Sequence, residues 1–116
     1  MTVAILGGTG PQGQGLAMRL AVAGVPTILG SREKERSEMI VADLNTRLPK
    51  GSVFVKGATN EEAIDKATDM VIFAVPWGAH NKLLRYLKNQ LRGKILVDIV
   101  VPLSENDPKK VAMPPE

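Results

Sequence analysis

Cysteine is absent from this 116-residue chain, which excludes disulfides, thiolate nucleophiles and iron–sulfur ligation together. A single histidine and no carboxylates clustered at ligand spacing argue against a catalytic metal site. Two Phe, one Tyr and one Trp offer few rings for stacking bases, and the lysines and arginines are scattered rather than striped. The net charge of +3 therefore suits a small anionic ligand better than a nucleic acid. No apolar run approaches the length of a membrane span, and no basic leader with an apolar core opens the chain, so a cytoplasmic protein without membrane partners is expected. What is present, 44% hydrophobic and 23% charged residues, is an ordinary globular composition, enough for one domain with a real core.

The chain is organised around Leu6-Gly7-Gly8-Thr9-Gly10-Pro11-Gln12-Gly13-Gln14-Gly15. Before it, Thr2-Val3-Ala4-Ile5-Leu6 is apolar without alternation, as a strand buried on both faces of a parallel sheet must be. After it, Leu16, Leu20 and Ala23 take up helical spacing until Gly24. Within Gly8-x-Gly10-x-x-Gly13 the first glycine permits the turn, the second lets backbone approach a pyrophosphate, and the third lets helix pack on strand. The first-turn amides of the helix lack intrahelical partners and can receive phosphate charge. Pro11 costs nothing there, because its missing N–H is one of those orphans.

Further along, Thr27-Ile28-Leu29-Gly30 reads as a second strand, and residues 33–48 as a surface helix with one buried stripe. Ser52 to Gly57 reads as a third strand, and Asn60 as the N-cap of a brief helix running to about Ala67. Asp69 to Val75 is the most apolar strand candidate and is ended by Pro76; a helix from about Ala79 through Leu91 and a fifth strand from Lys94 to Val101 follow. Five strands alternating with helices predict an α/β fold, a doubly wound parallel sheet of order 3-2-1-4-5. Its ligand crevice would lie over the carboxyl ends of the strands, where the glycine turn, Ser31-Arg32, Pro76-Trp77 and Val100-Val101 fall.

The end of the second strand discriminates between dinucleotides. A site for NAD places Asp or Glu there to accept from the ribose 2′-hydroxyl, whereas this chain has Ser31-Arg32, with Lys34 and Arg36 close by. A hydroxyl and a guanidinium fork both bind a 2′-phosphate that a carboxylate would repel, so NADP is the expected cofactor. The bland reading makes Ser31 a helix N-cap and Arg32 a solvated surface residue.

Together Gly7 to Ala17, Gly30-Ser31-Arg32 and Val75-Pro76-Trp77 give the chain a likeness along essentially its whole length: it resembles the F420-dependent NADP reductase family. The resemblance implies a Rossmann domain that binds NADP, in an enzyme moving a hydride between reduced coenzyme F420 and NADP. It places the pyrophosphate on Thr9, Gly10, Pro11 and Gln12, between the motif glycines Gly8 and Gly13 that are counted with the cofactor-binding residues, and the 2′-phosphate on Ser31, Arg32 and Arg36. Ala74, Trp77 and Gly78 would line the nicotinamide half of the cleft, with His80 a further candidate ligand contact. Pro11-Gln12 departs from the amide and aliphatic pair usual at those places in the family. Residues 1–103 would be the cofactor domain and residues 104–116 a linker toward a C-terminal domain that in the family completes the deazaflavin site and a homodimer.

Hydride transfer between two bound cofactors asks the protein to stack rings and exclude water, so no catalytic acid, base or nucleophile is assigned. Two other readings share this glycine turn. One is an NADPH-dependent reductase of a small imine or keto acid, similar to pyrroline-5-carboxylate or ketopantoate reductases. The other is a non-enzymatic NADP-sensing module related to extended short-chain dehydrogenases, whose catalytic Tyr-x-x-x-Lys is missing here because Tyr86 is followed by Gln90.

Overall fold

A computed structural model describes residues 1–7, 9–68, 70–74 and 77–98. Strands and helices alternate through it: β1 (Val3–Leu6), α1 (Pro11–Val22), β2 (Thr27–Ser31), α2 (Lys34–Thr46), β3 (Lys56–Thr59), α3 (Asn60–Lys66), β4 (Met70–Phe73), α4 (Trp77–Tyr86) and β5 (Ile95–Asp98). The five strands form one sheet in the order β3-β2-β1-β4-β5, every neighbouring pair parallel. This is the doubly wound α/β arrangement predicted from the strand and helix pattern. The order in which strands are added to the sheet reverses between β1 and β4, which sit side by side and parallel from Val3 opposite Met70 to Leu6 opposite Phe73.

The unbroken apolar run of β1 is explained by two cores. Val3 and Ile5 join one that includes Ala17, Ala21, Leu29, Val41, Leu44 and Ile72, on the α1 and α2 side. Ala4 and Leu6 join the other, with Ile28, Ile64, Val71, Phe73 and Leu87, on the α3 and α4 side. Successive strand residues point to opposite faces, so β1, covered on both sides, is apolar at every position. The edge strands are less covered: on β5, Ile95 and Leu96 are 58% and 40% exposed.

Two boundaries differ from the sequence reading for identifiable reasons. The third strand begins at Lys56 rather than Ser52, because residues 53–55 spend their backbone groups elsewhere. Val53 N–H donates to Ala21 O at 3.0 Å. The Asn45 side chain holds both backbone groups of Val55, accepting from its N–H and donating to its O, each at 2.9 Å. Pairing with β2 starts only where Ile28 meets Lys56. The fourth helix ends at Tyr86, not near Leu91, since Lys88 N–H and Gln90 N–H reach back only three residues, to Arg85 O and Leu87 O. Those are turn bonds that tighten the chain without continuing an α-helix.

Of the predicted fifth strand, Ile95–Asp98 is described and residues 99–101 lie outside the described residues, as does the expected linker at 104–116. Among the described residues no helix is long and apolar enough to cross a membrane.

Candidate functional site

The carboxyl ends of β1 and β2 and the starts of α2 and α3 open onto a cleft of about 910 Å³. Its walls carry Gly7 and Thr9 from the glycine turn, and Ser31, Arg32, Glu33 and Arg36 from the β2–α2 junction. Asn60 and Glu61 from α3, with Lys82, Leu83 and Tyr86 from α4, close it on the other side.

The chain leaves β1 through Gly7, whose φ of +63° is a left-handed conformation that favours glycine. Its N–H does not continue the ladder but donates to Asn60 Oδ1 at 3.1 Å. Gln14 Nε2 donates to Thr9 O at 2.6 Å, turning that carbonyl toward α1. Gly10 is the N-cap of α1 with no side-chain cap, and Pro11 takes the first helical place, so the first-turn amides are left for a ligand. A Cβ at Gly10 would meet no protein atom within 4 Å, so this glycine leaves open space instead of serving a protein contact. Gly13 is buried in α1.

Ser31 is the last residue of β2 and only 6% exposed. It does not cap α2, whose N-cap is Glu33, so the bland reading of Ser31 fails. Instead Ser31 Oγ accepts from Glu33 N–H at 3.3 Å, which occupies a lone pair and leaves the hydroxyl hydrogen to donate into the cleft. Arg32 and Arg36 are exposed, and Arg36 Nε donates to Thr9 Oγ1 at 3.4 Å. The cleft thus holds the cations Arg32, Arg36 and Lys82 against the carboxylates Glu33 and Glu61.

Among the residues singled out from sequence, the cleft brings together Thr9, Ser31, Arg32 and Arg36. Gly10, Pro11, Gln12 and Gly13 stand beside it at the start of α1. Ala74 follows β4, with its N–H on Leu6 O at 2.9 Å, and packs against the core on the α1 and α2 side. Trp77, Gly78 and His80 lie in the first turns of α4, their side chains outside the described part, and Gly8 lies outside the described residues.

Asn60 is not the cap that its position in the sequence suggests. The N-cap of α3 is Thr59, whose side chain accepts from Glu62 N–H while Glu62 Oε1 accepts from Thr59 N–H, a complete capping box. The Thr59 hydroxyl, 3.1 Å from Glu62 Oε1, and then the Thr59 N–H hold the Glu62 carboxyl below its ordinary value, with Lys34 secondary. The Thr59-x-x-Glu62 pattern was the available signal, and it frees Asn60 for the cleft. Lys82 and Tyr86 were also missed; four residues apart on one helix, they share a face.

Residues 2–102 match the model of a protein family described as NADP oxidoreductase, coenzyme F420-dependent. The F420-dependent NADP reductase of Methanothermobacter marburgensis is 42% identical over 103 residues, covering 89% of this chain and 46% of that protein. The one from Methanocaldococcus jannaschii is 38% identical over 121 residues, covering 100% and 53%. The chain therefore spans about half the length of the curated relatives it matches. A crystal structure from an Arthrobacter species, provisionally described as an F420-dependent NADP reductase, superposes with a TM-score of 0.72 at 27% identity over 97% of this chain and 51% of that one. An imine reductase from Bacillus cereus shares the fold at a TM-score of 0.63 and 24% identity, over 88% of this chain and 32% of its own.

Proposed function

Because this chain belongs to the coenzyme F420-dependent NADP oxidoreductase family, we propose that it is the NADP-binding Rossmann domain of an enzyme that moves a hydride between reduced coenzyme F420 and NADP. The observation that carries the reading is the end of β2, where a buried serine with a hydroxyl hydrogen to give and two exposed arginines stand at the cleft. A 2′-phosphate there receives a hydroxyl bond from Ser31 and charge-assisted bonds from Arg32 and Arg36. The turn from Gly8 through Gly13 receives the diphosphate on backbone amides, with the open space at Gly10 admitting it and Thr9, Pro11 and Gln12 flanking it. Ala74, Trp77, Gly78 and His80 take the nicotinamide half, beyond the carboxyl end of β4.

NADP, when bound, supplies the ring carbon that gives or takes the hydride. In this reading the residues of this chain orient that ring through its phosphates, and none of them is assigned as an acid or base at the reacting carbon. Residues 1–103 form the cofactor domain in this reading and residues 104–116 the linker. In this reading a further domain completes the deazaflavin site and a homodimer, and the exposed Ile95 and Leu96 of β5 are apolar surface for it to cover. In this reading the protein works in the cytoplasm on small-molecule cofactors.

Parallel titration with NADPH and NADH, repeated on Arg32→Ala, tests this. NADPH is expected to bind at least tenfold tighter, about 1.4 kcal/mol, with most of that preference gone in the variant. Equal affinities in the unaltered chain, or no binding of either nucleotide, would overturn the reading.

A further inference from the structure

Asn60 is 3% exposed, yet its side chain reaches three separate parts of the site. Its Oδ1 accepts from Gly7 N–H at 3.1 Å across a separation of 53 residues, and only an oxygen can accept there, which fixes the orientation of the amide. Against β2 it packs so closely that a Cβ added to Gly30 would lie 2.8 Å from Oδ1 and 3.1 Å from the Asn60 Cα. Glycine at 30 is therefore the space that Asn60 occupies. The residue also lines the cleft, and α3 is started by the Thr59 box rather than by Asn60.

We infer that Asn60 is the positioning residue of the nucleotide turn: by holding the Gly7 peptide it aims the backbone amides that follow at the diphosphate of the bound dinucleotide. Gly7 is where the chain turns out of the sheet, and its left-handed φ leaves its N–H with no strand partner. Without Oδ1 that peptide is held on its carbonyl side alone, by Ala74 N–H on Leu6 O at 2.9 Å, and the amides that follow it lose part of their common direction before the ligand arrives. Gln14 fixes Thr9 O and Arg36 touches Thr9 Oγ1, but neither holds the start of the turn. The inference rests on the dinucleotide reading above and adds to it a residue outside the glycine motif.

The test separates the diphosphate from the adenosine end. Affinities for NADPH and for adenosine 2′-monophosphate, which has the 2′-phosphate but no diphosphate, are measured on the unaltered chain and on Asn60→Ala. Hydrogen exchange at the Gly7 amide is followed in both, and in Asn60→Asp, whose carboxylate still accepts from Gly7 N–H. Asn60→Ala is expected to weaken NADPH at least tenfold and adenosine 2′-monophosphate less than twofold. Gly7 is expected to lose protection in Asn60→Ala and to keep it in Asn60→Asp, while β1 and β4 amides stay protected in both. Equal losses for the two ligands, or unchanged Gly7 exchange in Asn60→Ala, would overturn the inference, as would a general loss of protection through the sheet. An unaltered chain that binds neither ligand would instead overturn the dinucleotide reading, and this inference with it.

Discussion

Arg36 Nε donates to Thr9 Oγ1 at 3.4 Å, joining the first turn of α2 to the glycine turn across 27 residues of sequence. The bond is long and exposed, so its part in stability is small. Its consequence is placement: the Arg36 side chain lines the cleft beside Thr9 of the glycine turn. Arg36→Ala is expected to change folding stability by less than about 0.5 kcal/mol, as surface substitutions do. NADPH affinity should nevertheless fall about threefold or more at low salt, with the difference shrinking at high salt as screening removes it. Calorimetric titration at two ionic strengths checks this, and an equal loss for NADH would show that Arg36 does not face the 2′-phosphate.

The packing of α2 on β3 rests on a small polar contact. Ser37 is fully buried, and its Oγ donates to Ala58 O at 2.7 Å and lies 2.9 Å from Lys34 O. Gly57 sits under the same turn, where a Cβ would come within 2.8 Å of Ser37 C and 2.9 Å of Glu38 N. Backbone atoms cannot give way as a flexible side chain would. Ser37→Ala is expected to cost about 1–3 kcal/mol by orphaning Ala58 O, and Gly57→Ala about 1–3 kcal/mol through overpacking. Chemical denaturation of each variant and of the pair checks both figures, and because the sites touch, the double variant should depart from additivity.

Asn45 accepts from Val55 N–H and donates to Val55 O, replacing a strand partner for residues that would otherwise extend β3. Asn45→Ala leaves both backbone groups without that partner. A loss of about 1–3 kcal/mol is expected, with faster hydrogen exchange at Val55 and unchanged exchange at Ile5 in the sheet centre. Equal acceleration at both positions would mean that the loop is not an independent unit.

The same residue shows where sequence reading stops. Order and direction of the strands were legible because β1 and β4 are apolar on both faces, a pattern that only a covered parallel strand requires. Ser31, Arg32 and the glycines were legible because local chain chemistry fixes them at a strand end. The start of β3 was not, since Val53-Phe54-Val55 has strand propensity and only the distant Asn45 and Ala21 remove its backbone groups from the sheet. Asn60 and Tyr86 reach the cleft by tertiary packing, which carries no local signature. The Thr59-x-x-Glu62 box was local and still overlooked, because Asn60 beside it is itself a good capping residue.

That box supplies a pH-dependent contribution with a definite sign. Glu62 is held below its ordinary 4.5 first by the Thr59 hydroxyl and Thr59 N–H, and only then by Lys34, 3.4 Å away. A carboxyl that ionises more easily when folded stabilises the fold wherever it is ionised in both states. The contribution is therefore complete above about pH 4.5 and is lost as the pH falls through the lower folded value. Glu62→Gln keeps an oxygen for Thr59 N–H but removes the charge, so its melting temperature should lie below that of the unaltered chain at pH 7 and converge with it near pH 3. Lys34→Met should leave most of that convergence in place, since the pair is half exposed and comes after the Thr59 bonds. Melting curves of the three proteins from pH 3 to pH 7 decide it. A gap between Glu62→Gln and the unaltered chain that stays constant across that range would assign the effect to the shape of the side chain and not to its charge.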